Sequence, residues 1–124
     1  GARNGSAPSP GGACGPAGSR RAGTGAVILE TAVLDVKPGE EARFEAAMRE
    51  AQPLIRATPG FEGIEVRPCI EKQGRYLLLV RWRRLEDHTE GFRGSERYPR
   101  WKELLHRFYD PFPTVEHYAR SIVD

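Results

Sequence analysis

The chain has 124 residues, nineteen basic and seventeen acidic, for a formal net charge of +2. The surplus is confined to residues 1–25, which hold three arginines and no acid; sixteen basic against seventeen acidic residues leave 26–124 at −1. The folded part therefore lacks the basic stripe that nucleic-acid binding needs, and no apolar run reaches the roughly 18 residues of a membrane span.

Residues 1–25, GARNGSAPSPGGACGPAGSRRAGTG, contain eight Gly, five Ala and three Pro, with no aromatic residue and no Val, Ile, Leu or Met. A segment with so little to bury cannot offset the entropy of ordering its backbone, so a disordered tail is expected. Its arginines and lack of acids resemble a transit peptide, but its Gly and Pro favour an inert extension. Residues 26–124 are the expected single domain. Cys14 in the tail and Cys69 on an expected strand make a poor disulfide framework, which implies a reduced, cytoplasmic protein.

AVILETAVLDV, 26–36, reads as a strand that stops at the turn residues KPG. One of its faces carries Ile28, Ala32, Leu34 and Val36 with Glu30; the other carries Val27, Leu29 and Val33 with Thr31 and Asp35. GEEARFEAAMREAQPLIRATPG predicts a helix, because Phe44, Ala47, Met48, Ala51 and Ile55 recur at the spacing of a buried stripe. Glu40 and Glu41 suit its positive N-terminal end, Pro53 should kink its last turns, and TPG ends it.

FEGIEVRPCIE, 61–71, and RYLLLVRW, 75–82, flank the turn KQG and predict a hairpin. In the second of these strands Tyr76, Leu78, Val80 and Trp82 point one way, Leu77 and Leu79 the other. Residues 85–101 then form a connection bent at Gly91 and Gly94. RYPRWKELLHRFY sets Tyr98, Trp101, Leu104, Leu105 and Phe108 on one helical face, DPFP breaks it, and TVEHYARSIV supplies a last strand.

The order β-α-β-β-α-β is the ferredoxin-like α+β pattern, an antiparallel sheet with helices on one face. Two strands apolar on both sides would leave a patch of several hundred Å² in water on a lone copy. A homodimer, sheet against sheet, is therefore expected. His106 and His117 stand isolated, and no second ligand lies at a metal-binding interval, so no metal is expected.

The segments VKPGEEARF, PGFEG, YLLLVRWRRLEDH and FRGSERYPRW, in this order, resemble the antibiotic biosynthesis monooxygenase family, along about residues 29 to 118. The resemblance implies the dimeric α+β barrel and, in its quinone-forming branch, oxygenation without a cofactor. That branch's Asn-x3-Trp-x5-Tyr pattern falls on His88, Phe92 and Tyr98, so the tyrosine alone is kept. A heme-degrading branch would place its Asn, Trp and axial His at Thr31 or Ala32, Phe92 and Lys102. None matches, although His106 lies one turn beyond Lys102.

The resemblance implies a small electron-rich substrate, a phenol or an enolisable aromatic ketone, whose anion passes an electron to oxygen. His88 would be the base and Tyr98 a donor to the phenolate; Arg93 would balance charge, and Phe92, Trp82 and Trp101 would wall the ring. Each has a plainer reading. His88 could face solvent, Tyr98 and Trp101 could be core, Trp82 could be packing, and Arg93 could pair with Glu90 or Glu96. The other two functions left open are heme binding through His106 and a non-catalytic dimeric small-molecule-binding or stress-response domain.

Overall fold

The computed structural model describes residues 27–123, so the expected tail, 1–25, lies outside the described residues. Strand β1, Ile28–Asp35, buries Glu30, Ala32 and Leu34 on one face, as the alternation predicts. Helix α1, Glu41–Arg56, runs through Pro53 and buries all five residues of the predicted stripe. It follows Gly39, whose φ of +83° supplies the turn between strand and helix.

Strands β2, Phe61–Pro68, and β3, Arg75–Trp82, form the expected hairpin, closed where the Cys69 N–H donates to the Arg75 carbonyl at 2.7 Å. Cys69 therefore sits half-buried just past the end of β2, with its thiol 3.6 Å from Glu71 Oε1. Helix α2, Arg97–Leu105, is shorter than its pattern, because His106–Phe108 tighten into a 3-10 turn. Strand β4, Val115–Tyr118, takes up only four residues of the segment predicted for it.

The sheet order is β2-β3-β1-β4, all antiparallel, which is the ferredoxin-like arrangement. On the inner face Ala32, Leu34, Tyr76, Leu78, Val80 and Trp82 join the stripe of α1 with Trp101, Leu105 and Phe108 in one core. Burying a side chain of this size contributes about 1.5–3 kcal/mol, which is why α1 and α2 lie on this face. The outer face is apolar only along its centre. There Thr31 pairs with Leu79 and Val33 with Leu77, between the ion pairs Asp35–Arg75 and Glu65–Arg81.

Candidate functional site

The chain between β3 and α2 is fastened to the last turn of α1 and the loop that follows it, at its start by the Arg83 N–H donating to the Gly60 carbonyl at 2.8 Å. Asp87 accepts hydrogen bonds from the Arg84 backbone N–H at 3.0 Å and from its guanidinium at 3.1 Å. Its carboxylate lies against Gly60, where φ is +91° and a Cβ would collide with it. At the other end Arg97 donates to the Leu54 carbonyl at 3.1 Å and to Thr58 Oγ1 at 3.2 Å. Between these anchors Asp87–Phe92 make a π-helical turn, an uncommon form that recurs at functional sites. Gly94 permits its close: any Cβ there would meet the Glu90 carbonyl, so close approach is its purpose and not an unusual φ.

This turn drives His88 and Phe92 inward. His88 is 3 % exposed, which overturns the solvent-facing reading of it. Its ring stacks on the Trp82 indole, with centroids 5.4 Å apart and planes at 18°. Phe92 meets His88 at 6.4 Å and reaches Tyr98 and Trp101 edge-on, each at 5.4 Å. Phe92 thus connects His88 to the predicted Tyr98 and Trp101, and Lys102 Nζ lies 5.1 Å from the Tyr98 ring. Arg93 stays at the surface; among the described residues it pairs with neither Glu90 nor Glu96, and its charge acts on the groups below.

Two residues absent from the predicted site complete it. Glu30, 4 % exposed on the inner face of β1, accepts the Trp82 indole N–H at 2.9 Å on Oε1, and His88 Nε2 lies 3.4 Å from the same oxygen. On the other side His88 Nδ1 and His117 Nε2 are 2.7 Å apart. His117 is therefore not isolated, because the β1–β4 register sets it beside Glu30. Glu30 was legible as the one acid on an apolar strand face. His117 needed the pairing of β4 with β1, which local pattern does not contain.

Burial dominates the electrostatics. It raises the Glu30 carboxyl above 4.5, against the lowering effect of the Trp82 hydrogen bond and of Arg93. It lowers His88 to about 3, helped by Arg93 and His117, and lowers His117, again helped by Arg93. Neutral forms are thus favoured throughout. Glu30 and His117 approach opposite nitrogens of His88 and do not converge, and no three such groups among the described residues are placed to hold a metal.

An open cleft of about 330 Å³ lies elsewhere, between α1 and the inner face of β2. Phe44, Met48, Ile64, Val66 and Tyr76 line it, with Glu45 on its rim. The Tyr76 hydroxyl donates to Glu45 Oε2 at 2.6 Å.

The family model for antibiotic biosynthesis monooxygenase matches residues 27–104. The chain belongs to the antibiotic biosynthesis monooxygenase family. The uncharacterized protein YczJ of Bacillus subtilis (strain 168) is 53% identical over 92 residues, which are 74% of this chain and 97% of YczJ. A structure from Bordetella bronchiseptica, provisionally named an antibiotic biosynthesis monooxygenase, is 33% identical with a TM-score of 0.74, covering 79% of this chain and all of that one. A mutant of SnoaB, a cofactor-independent oxygenase from Streptomyces nogalater, has a TM-score of 0.65 at 15% identity, covering 81% of this chain and 96% of SnoaB. At that identity the likeness shows the fold alone.

Within this antibiotic biosynthesis monooxygenase fold the two strand positions named for heme degradation fall on opposite faces of the sheet. Thr31 lies on the outer face and Ala32 on the inner one. His106 is half-buried, with its ring edge-on to Phe112 at 4.8 Å and tilted toward Tyr109 at 6.0 Å.

Proposed function

We infer that the protein is a homodimeric, cytoplasmic monooxygenase that needs no cofactor and acts on a small phenolic or enolisable aromatic. The observation that carries this reading is the buried imidazole of His88, flanked by an acid and a second imidazole and stacked on an indole, on a π-helical turn. Such a substrate reacts with triplet oxygen only after losing a proton. The anion passes one electron to oxygen, the radical pair joins as a peroxide anion that takes up a proton from solvent to become a hydroperoxide, and loss of water leaves a quinone. One oxygen atom enters the product, the other leaves as water, and the substrate supplies all the electrons.

His88 at about 3 is a weak acceptor by itself, whereas burial has raised the proton affinity of Glu30. The pair takes the proton as a unit at His88 Nδ1, once that nitrogen parts from His117 Nε2, with the charge change ending on Glu30. Arg93 offsets the phenolate, Tyr98 donates to it, and Trp82, Phe92 and Trp101 exclude water. Because His88 is buried, with its ring stacked on Trp82 and its edge of the core closed by Phe92, a substrate ring enters only when the π-helical turn moves outward.

Oxygen uptake with a panel of phenols tests the reading. His88→Ala should lose about 10²–10⁴-fold in rate, as removal of a proton-transfer group does, and Tyr98→Phe should lose less. Unchanged turnover in both variants removes these assignments. A second reading, a dimeric binding domain without catalysis, is favoured by the cleft that opens at Phe44 and Tyr76, away from His88. Binding of an aromatic with no oxygen uptake supports it, and a Soret shift on adding hemin supports heme binding instead.

A further inference from the structure

His88 stands between the buried Glu30, whose Oε1 is 3.4 Å from its Nε2, and the half-exposed ring of His117 on the edge strand β4, whose Nε2 is 2.7 Å from its Nδ1. A neutral imidazole has one donor and one acceptor nitrogen, so the path admits two consistent arrangements with uncharged rings. In the first, Glu30 is a carboxylate and both rings carry their proton on Nε2. His88 then donates toward Glu30, and His117 donates to His88 Nδ1. In the second, Glu30 is a carboxylic acid whose O–H faces His88 Nε2, and both rings carry their proton on Nδ1. His88 then donates to His117 Nε2.

The two arrangements differ by one proton. It binds His117 Nδ1 from solvent; His117 gives its Nε2 proton to His88 Nδ1, and His88 gives its Nε2 proton to Glu30. At each ring one N–H bond forms and one breaks, and an O–H bond forms at Glu30. We propose that Glu30, His88 and His117 are a proton wire, in which the buried acid exchanges its proton with solvent through a paired tautomer shift of the two imidazoles.

The surroundings suit neutral carriers. The groups facing the path are the uncharged Trp82 indole from β3, Arg93 from the end of the π-helical turn, and His117 itself from β4. Burial and the Arg93 charge disfavour an imidazolium at either ring, so the proton crosses without one persisting. The service of the wire to catalysis, resetting Glu30 after each turnover, rests on the proposed function. The wire itself rests on the geometry alone.

Long-range proton–nitrogen spectra of protein labelled with ¹⁵N-histidine, taken from about pH 4 to 8, test it, since ring nitrogens report their protonation directly. Expected are Nε2–H tautomers of His88 and His117 at the upper end, a scalar coupling between His88 Nδ1 and His117 Nε2, and a joint shift to Nδ1–H with one midpoint. Glu30→Gln should abolish that step and hold both rings in fixed tautomers. His117→Phe, at a half-exposed position, should keep the fold while removing the coupling and the His88 tautomer change. Independent midpoints, an imidazolium forming before the shift, or the same shift in Glu30→Gln would overturn the proposal. A joint shift without oxygen uptake on any phenol separates the wire from the oxygenase reading.

Discussion

Glu30 and His88 pull the stability of the protein in opposite directions along the pH scale, because burial disfavours the charged form of each. His88 is depressed from 6.5 to about 3. Its contribution is therefore fully present above pH 6.5 and is lost as pH falls toward 3. Glu30 is raised from 4.5, so its contribution is present below 4.5 and is lost as pH rises through its folded value. One such group gives a slope of up to about 1.4 kcal/mol per pH unit inside its window. Melting curves of His88→Asn should fall less steeply than the parent's below pH 6.5. Those of Glu30→Gln, which keeps an acceptor for Trp82, should fall less steeply as pH rises above 4.5. Parallel curves for parent and variants would show that neither side chain titrates as buried.

At the scale of elements, the π-helical turn depends on the loop that receives Asp87. Gly60→Ala adds a strained left-handed backbone to a clash with that carboxylate, whereas Gly39→Ala, with open space at φ +83°, adds the backbone strain alone. The backbone cost is about 1–2 kcal/mol at either site, and the clash should make Gly60→Ala the worse by a further 1 kcal/mol or so, read from urea midpoints. The strands and α1 were legible in the chain because Phe44, Ala47, Met48, Ala51 and Ile55, and the alternation in RYLLLVRW, are local periods. The shortening of α2 was not, since the tightening at His106–Phe108 follows from how Phe108 reaches the core. Among the candidate site residues, the sequence brought out the rings that surround Phe92. It separated Glu30 from His117 by 87 positions, and only the cross-strand register joins them.

For the whole molecule, the outer face of the sheet is the surface on which the proposed dimer depends. Val33 is 47% and Leu77 39% exposed on one copy, and they are partners in the β1–β3 ladder. Leu77→Asp should leave the core untouched and turn the expected dimer into monomers at micromolar protein in sedimentation velocity. A parent that is already monomeric would remove the dimer from the proposed function. The flanking ion pairs are individually worth about 0–1 kcal/mol, so they orient such a contact more than they drive it. A different feature sets how the interior meets water. His117 rides on β4, whose ladder to β1 spans only Leu29 to Ala32 and which, among the described residues, borders no other strand. The most sheltered carboxyl among the described residues is thereby tethered to a margin held by four residue pairs, so that any peeling of β4 would unplug the acid from the outside and reannealing would plug it back in.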